Sequence, residues 1–367
     1  GMEMLMQSPP GARTLFNGRW CDYFAGTGYL GLQSHPAVLQ AAIETLQQYG
    51  LSTATSRGGY GEHPVYRQLE EAAARFFEAE RALHFVSAYL GNAIMVQGLL
   101  GDYEQILVDE ASHFSVWDGV RTTGIPVTSF HHLDAEDLAT CLRARLKPGE
   151  RPLVISDGVF PISGEIAPVP DYVEALAAYE GAILCLDDAH ATGVIGEKGQ
   201  GTLEYYGLQG EGRYTTHTLS KALGGHGGLI AGGARVIEQL VRNSKVPVGA
   251  SPSPLPAAGA AARALELVRS DPDLRHRLWE NVRQAKEGLR ALGWTLVDTP
   301  VPILCLGARP GLDLARIQAE LYARDLCVAH VRSYSSAPPG GALRIAIFAT
   351  HTMEQIDRLV GELGSIL

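Results

Sequence analysis

Cysteine is scarce in this chain: five residues in 367, at Cys21, Cys141, Cys185, Cys305 and Cys327. None forms a CxxC pair, which argues against a zinc knuckle or a disulfide framework and leaves reduced thiols as the expectation. Long apolar runs are also missing. No basic start leads into an apolar stretch, so neither a signal peptide nor a spanning helix is predicted, and a cytoplasmic location is expected. Nor is there a basic run: 30 Lys and Arg stand against 40 Asp and Glu, a formal charge of −10. That balance makes nucleic acid and anionic membranes poor partners. Repeats and low-complexity linkers are absent, the densest interruption being VPVGASPSPLP at 246–256. Gly1, ahead of Met2, is expected to be a residue left by tag removal.

What the chain does have is 46% apolar content, enough for two domains with separate cores. Short apolar runs alternate with amphipathic stretches, the pattern of a mainly parallel sheet covered by helices. Strands are predicted at 105–109, 126–130, 152–156, 182–187 and 228–232, with helices at 64–77 and 171–180. From about Ala257 the pattern shifts towards a smaller α+β unit. The expected division is an N-terminal arm at 2–45, a large domain at 46–256, and a small domain at 257–367 that shares part of the arm.

Polar groups interrupt these runs at a few informative places. The apolar run LCLDDAH ends in Asp187, Asp188 and His190, at the carboxyl end of a strand, where open α/β sheets bind ligands. Paired acids also cap turns, and Asp188 suits that lesser role. Lys221 follows Thr218 by three residues and precedes Gly224, Gly225, Gly227 and Gly228, glycines that let backbone crowd a ligand. The order of lysine and glycines fits neither a Walker loop nor GxGxxG, so nucleotide binding is disfavoured. HFVSAYLGNAIMVQGLL at 84–100 reads as a strand, a turn at Ser87–Gly91 and a helix from near Asn92, whose free amides suit an anion beside Ala88 and Tyr89. His113 follows another strand, where it can stack on a planar ring or simply face solvent. Together these are the groups pyridoxal phosphate requires: an amine for its carbonyl, a carboxylate for its ring nitrogen, donors for its phosphate and a flat group over the ring.

In order and spacing, YLGLQSHP at 29–36, SRGGYGEHPVYRQLE at 56–70, DEASHFSVWDG at 109–119, SDGVFPISGEIAPV at 156–169, LDDAHATGVIGEKGQG at 186–201, HTLSKALGGHGG at 217–228 and LRIAIFATHT at 343–352 resemble the α-oxoamine synthases over nearly the whole chain. The resemblance implies the aspartate aminotransferase-like fold of pyridoxal phosphate enzymes: a large domain with a mainly parallel seven-stranded sheet and a smaller C-terminal α+β domain. It implies Lys221 as the Schiff-base lysine and base, Asp187 as the partner of the pyridine nitrogen, His190 as the contact to the phenolic oxygen and His113 as the stacking group. Thr218, Ala88 and Tyr89 match positions beside the phosphate, and Arg344 the arginine that pairs with the amino-acid carboxylate. It further implies a homodimer with a shared active site, in which Ser251 or Ser253 reaches the partner's cofactor phosphate. The implied reaction condenses a small amino acid with an acyl-CoA, releasing coenzyme A and, in most of the family, carbon dioxide.

Two departures bear on the substrate. Thr27 and Gly28 stand before YLGL where relatives usually carry asparagine and aspartate, removing an amide contact near the substrate carboxylate. Pro161, in GVFPISG, replaces a serine and has no side-chain donor. They keep an aminotransferase on the same fold as the alternative; a non-catalytic scaffold subunit ranks last, because Lys221 is present.

Overall fold

A computed structural model describes residues 3–367. Thirteen strands occur among them: β1 (Arg13–Phe16), β2 (Arg19–Tyr23), β3 (Arg81–Phe85), β4 (Gln105–Asp109), β5 (Val127–Phe130), β6 (Pro152–Asp157), β7 (Ile183–Asp187), β8 (Arg213–Thr218), β9 (Gly228–Gly232), β10 (Ile303–Gly307), β11 (Leu326–Cys327), β12 (Ala329–Val331) and β13 (Ala342–Ala346). Seven of these form one sheet in the order β3-β9-β8-β7-β6-β4-β5. Its pairs are parallel except those of β9, which runs antiparallel to both β3 and β8.

The parallel strands explain their own sequences. Side chains alternate between faces, and here both faces are covered. Ile106, Val108, Leu153, Ile155, Ile183 and Cys185 join one apolar cluster, while Leu107, Val154, Leu184 and Leu186 join another. Continuous apolar runs result, as expected for a parallel sheet buried on both sides. The same alternation puts the terminal residues Asp157 and Asp187 on the first face, where they are register partners on neighbouring strands.

The five predicted strands are all present, to within a residue at their ends. Pro126 falls outside β5 and only accepts, from the Ile106 amide. The helix predicted at 171–180 runs instead over Val169–Leu176, because Pro170 fits the first turn of a helix. Strand β8, RYTTHT, is polar yet central: buried His217 is held by the hydroxyls of Thr192 and Thr215 at 2.8 Å each.

Four helices frame the site region: α1 (Pro36–Tyr49), α2 (Pro64–Phe76), α3 (Gly91–Gly98) and α4 (Phe114–Arg121). The chain's ends meet in one small sheet, β1-β2-β11, beside a second built from C-terminal strands alone, β10-β13-β12. Asn17 and Gly18, both with positive φ, make the tight β1–β2 turn. The proposed division at residue 256 falls in the first turn of helix Leu255–Ser270, which packs on α1 and α2. One apolar cluster runs from Phe24 and α2 through that helix to Ile366, so the core is continuous across the division.

Candidate active site

At the carboxyl ends of β6, β7 and β8 lies a cavity of about 210 Å³ lined by Lys221, Asp187, His190, His113, Asp157 and Thr218 among others. Ser87, Ala88 and Tyr89 close one end of it, together with Ser220. Five stretches of sequence thus converge on one small volume. A larger depression, about 1070 Å³, lies at the amino ends of the strands and is walled by Arg151, Glu180, Arg213 and Arg235. It gathers no lysine, histidine or cysteine, so the smaller cavity is the better candidate for chemistry.

Asp187 is buried and both its oxygens are engaged: Oδ2 accepts from Asn92 Nδ2 at 2.7 Å and Oδ1 from the Ala189 amide at 3.0 Å. Asn92, near the start of α3, also donates to Ser115 Oγ and accepts from Thr216 Oγ1. It is the residue that orients Asp187, and only the fold brings the two together. Asp188 points the other way, accepting from the amide and hydroxyl of Thr202, which fits its predicted capping role. Burial pushes its carboxyl up to about 7.

His190 is buried, and Nδ1 lies 2.8 Å from the Tyr29 hydroxyl. Arg344 Nη2 donates to that same hydroxyl at 3.0 Å. A guanidinium has no acceptor, so the phenol proton goes to His190 Nδ1 and the imidazole proton sits on Nε2. Burial, then Lys221 and Arg344, holds His190 well below the usual imidazole range, hence neutral. His113 caps α4; its Nδ1 accepts from the Ser115 amide at 3.2 Å, which leaves the proton on Nε2, 3.0 Å from Tyr334 OH. Tyr334, on the loop between β12 and β13, was not among the sequence candidates.

Lys221 follows β8 and makes no hydrogen bond through Nζ to the described residues. Burial lowers its pKa, against the opposing pull of Asp187 and Asp157. A half-buried amine without a partner is what nucleophilic or proton-transfer work needs. The glycines after it do a different job from the one expected. Gly224 has φ +63°, and a Cβ there would lie 2.3 Å from the Gln33 amide; at Gly228 it would meet Phe85 at 2.2 Å and Ala88 Cα at 2.8 Å. They let the lysine loop pack against the rest of the chain and do not line the cavity.

At the end of the cavity where phosphate contacts are expected, the chain forms a turn that leads into a helix. Residues Ala88–Leu90 form a 3-10 turn that runs into α3 at Gly91, presenting a helix start to the cavity. Thr218 Oγ1 accepts from the Ser220 amide at 3.1 Å, and Tyr89 OH donates to Asp118 at 2.5 Å.

Four expected residues lie apart from the cavity. Arg344 is buried, donating through Nε to Pro161 O, through Nη1 to Gly26 O and through Nη2 to Tyr29 OH. Three of its donors are therefore spent inside the protein, and it reaches the site by way of Tyr29. Thr27 is partly buried outside the lining. Ser253 is fully buried: its Oγ meets His84 Nε2 at 2.8 Å and its carbonyl accepts from Tyr66. It faces inward, so the expectation that Ser253 reaches a partner's cofactor does not fit this side chain, whereas Ser251 is exposed.

The residues present fit pyridoxal phosphate end to end: an open helix start with hydroxyls, an amine with no hydrogen-bond partner among the described residues and a carboxylate with a donor on each oxygen. No group of acids, histidines and cysteines among the described residues is arranged to hold a metal ion.

Comparison with known proteins agrees with this geometry. The sequence profile described as aminotransferase class I and II matches residues 26–363. The 8-amino-7-oxononanoate synthase of Symbiobacterium thermophilum is 32% identical over 362 residues, 98% of this chain and 92% of the relative. The 8-amino-7-oxononanoate synthase 1 of Bacillus subtilis is 33% identical over 96% of this chain and 90% of its own. A lysine-to-alanine variant of a serine palmitoyltransferase from S. paucimobilis, solved with a bound PLP–myriocin aldimine, superposes with a TM-score of 0.93 at 26% identity, covering 99% of this chain and 92% of that one.

Proposed function

The chain belongs to the class I and II aminotransferases, and within them to the α-oxoamine synthases, and from that premise we propose that it is a pyridoxal phosphate-dependent acyltransferase joining a small amino acid to an acyl thioester. The observation that carries the proposal is the meeting of Lys221, Asp187, His190 and His113 around one cavity. The net reaction forms a bond between the α-carbon of glycine, alanine or serine and the acyl carbon, releasing the thiol and carbon dioxide. The named relatives point to 8-amino-7-oxononanoate synthase-like chemistry with an acyl-CoA.

When bound, the cofactor supplies a ring that accepts the electron pair left at the α-carbon. The chain's own groups do the rest. Asp187, oriented by Asn92 and the Ala189 amide, would pair with the ring nitrogen. His190 offers its Nε2 proton to the phenolic oxygen, and the Arg344–Tyr29 pair fixes that tautomer. His113 covers the ring, locked by Ser115 and Tyr334. The turn at Ala88 and Tyr89, with Thr218, holds the phosphate. Lys221 is the residue that would hold the cofactor's carbonyl carbon and take the α-proton on Nζ, its amine favoured over the ammonium by burial. The remaining donors of Arg344 are the candidates for the amino-acid carboxylate.

A homodimer belongs to the same proposal. On α1, Leu39, Ile43 and Leu46 recur at helical spacing and are exposed, continuing into Tyr49, Leu51 and Tyr60.

The test is free thiol released when the cofactor-loaded protein meets a panel of acyl-CoAs, with and without glycine, alanine or serine. Amino-acid-dependent release is expected, and Lys221→Ala should remove it by at least about a hundredfold. Transfer of the amino group to a keto acid with no thiol released would instead establish the aminotransferase alternative.

A further inference from the structure

Asp157 ends β6 as Asp187 ends β7, and the two are register partners on the same face of the sheet. Both line the cavity, but their surroundings differ. Asp187 receives a donor on each oxygen. Asp157 receives one, the His113 amide on Oδ1 at 3.2 Å, while its Oδ2 is buried with no hydrogen-bond partner among the described residues. A carboxylate oxygen left bare inside the protein is costly. A carboxyl hydroxyl there is not, once something in the cavity accepts its proton.

Every charged group facing Asp157 bears on which form it takes. Burial acts first and Asp187 second, with Asp109 on β4 adding to them; the His113 amide and Lys221 oppose. The balance raises its carboxyl well above the usual range. Tyr334, across the mouth, is held towards its neutral phenol by burial and by Asp157. Two like charges on adjacent strands relieve one another when one carries a proton, and the donor pattern says which one does.

We propose that Asp157 is the protonated member of a carboxyl pair with Asp187, and that its Oδ2 hydroxyl donates to an anionic oxygen of the bound cofactor or of the amino-acid substrate. It gives the cavity a neutral acid beside Pro161, a residue with no side-chain donor and whose carbonyl is already taken by Arg344. No bond is broken in this role; the proton stays shared between Oδ2 and the ligand oxygen. The inference rests on the cofactor reading above, and its test has a separate readout.

Infrared difference spectra of the cofactor-free protein at neutral pH, wild type minus Asp157→Asn, should show a protonated-carboxyl stretch that the variant loses. Asp157→Ser supplies the same difference if the asparagine variant does not fold. The band should then shift when wild-type protein is loaded with pyridoxal phosphate, if the acceptor is a cofactor oxygen, or only on adding alanine, if it is the substrate carboxylate. A band missing from the wild type, unchanged in the variants, or unmoved by both additions overturns the proposal. Failure of the cofactor reading is seen independently, as loss of the cofactor's visible absorbance on gel filtration.

Discussion

Asn92 is the residue whose loss should be felt most directly by its neighbour. Its Nδ2 provides one of the two hydrogen bonds on Asp187, in a place water does not reach. Asn92→Ala leaves a buried carboxylate oxygen bare, a penalty of about 1–3 kcal/mol. Cofactor affinity, measured by absorbance titration, should weaken by roughly 10- to 100-fold while the fold persists. Asn92, like Asp157 and Tyr334, was not picked out from sequence, and the cause is common to them. Each acts through a partner 30 to 221 positions away, and no local periodicity marks such a pairing. Asp187, His190 and His113 were singled out because each follows an apolar run at the end of a strand, Lys221 because glycines cluster after it, and all four because their order matches a known family. Ser253 shows the limit of that matching: a motif position gives the residue type but not which way the side chain turns.

Among the elements, the β8–β9 hairpin is the most exacting. It carries Lys221 between two strands held in register by Thr216 with Ile230 and Thr218 with Gly228. Gly228→Ala places a Cβ against the Phe85 ring and the Ala88 backbone, so something must shift at the very turn proposed to hold phosphate. We expect a loss of stability of about 1–3 kcal/mol from overpacking, read as a fall in Tm of several degrees, with cofactor affinity falling in parallel. The parallel strands were predictable as apolar runs because both faces of the sheet are covered. Strand β8 is harder to see: its Thr and His residues satisfy one another only once Thr192 is folded against them.

For the molecule as a whole, buried histidines set the acid limit, three of them besides His190. Burial pushes His84 and His217 down to about 3 and His351 to about 4. Unfolding lets each take up a proton below its usual value near 6.5, so the unfolded chain binds more protons as the pH drops. Stability is therefore full above about pH 6.5 and lost progressively towards pH 3 to 4, each histidine contributing on the order of a few kcal/mol. Denaturant midpoints from pH 8 to pH 4 should fall steeply below pH 6; a flat profile would show that these rings titrate normally. The proposed dimer is testable at the same scale: Ile43→Asp on the exposed face of α1 should give a monomer by light scattering and reduce turnover with it.

The pairing of the chain's two ends has a consequence for its synthesis. Tyr29, from the N-terminal arm, orients His190 and is itself held by Arg344, in the last strand to be made. On the ribosome, the seven-stranded sheet and Lys221 emerge well before Arg344 does. Until then the Tyr29 hydroxyl has no cation beside it, and the tautomer of His190 is not fixed. The hydrogen-bond chain that sets the cavity's acid–base state therefore closes only once β13 has been made and docked, after every residue that lines the cavity has been synthesised.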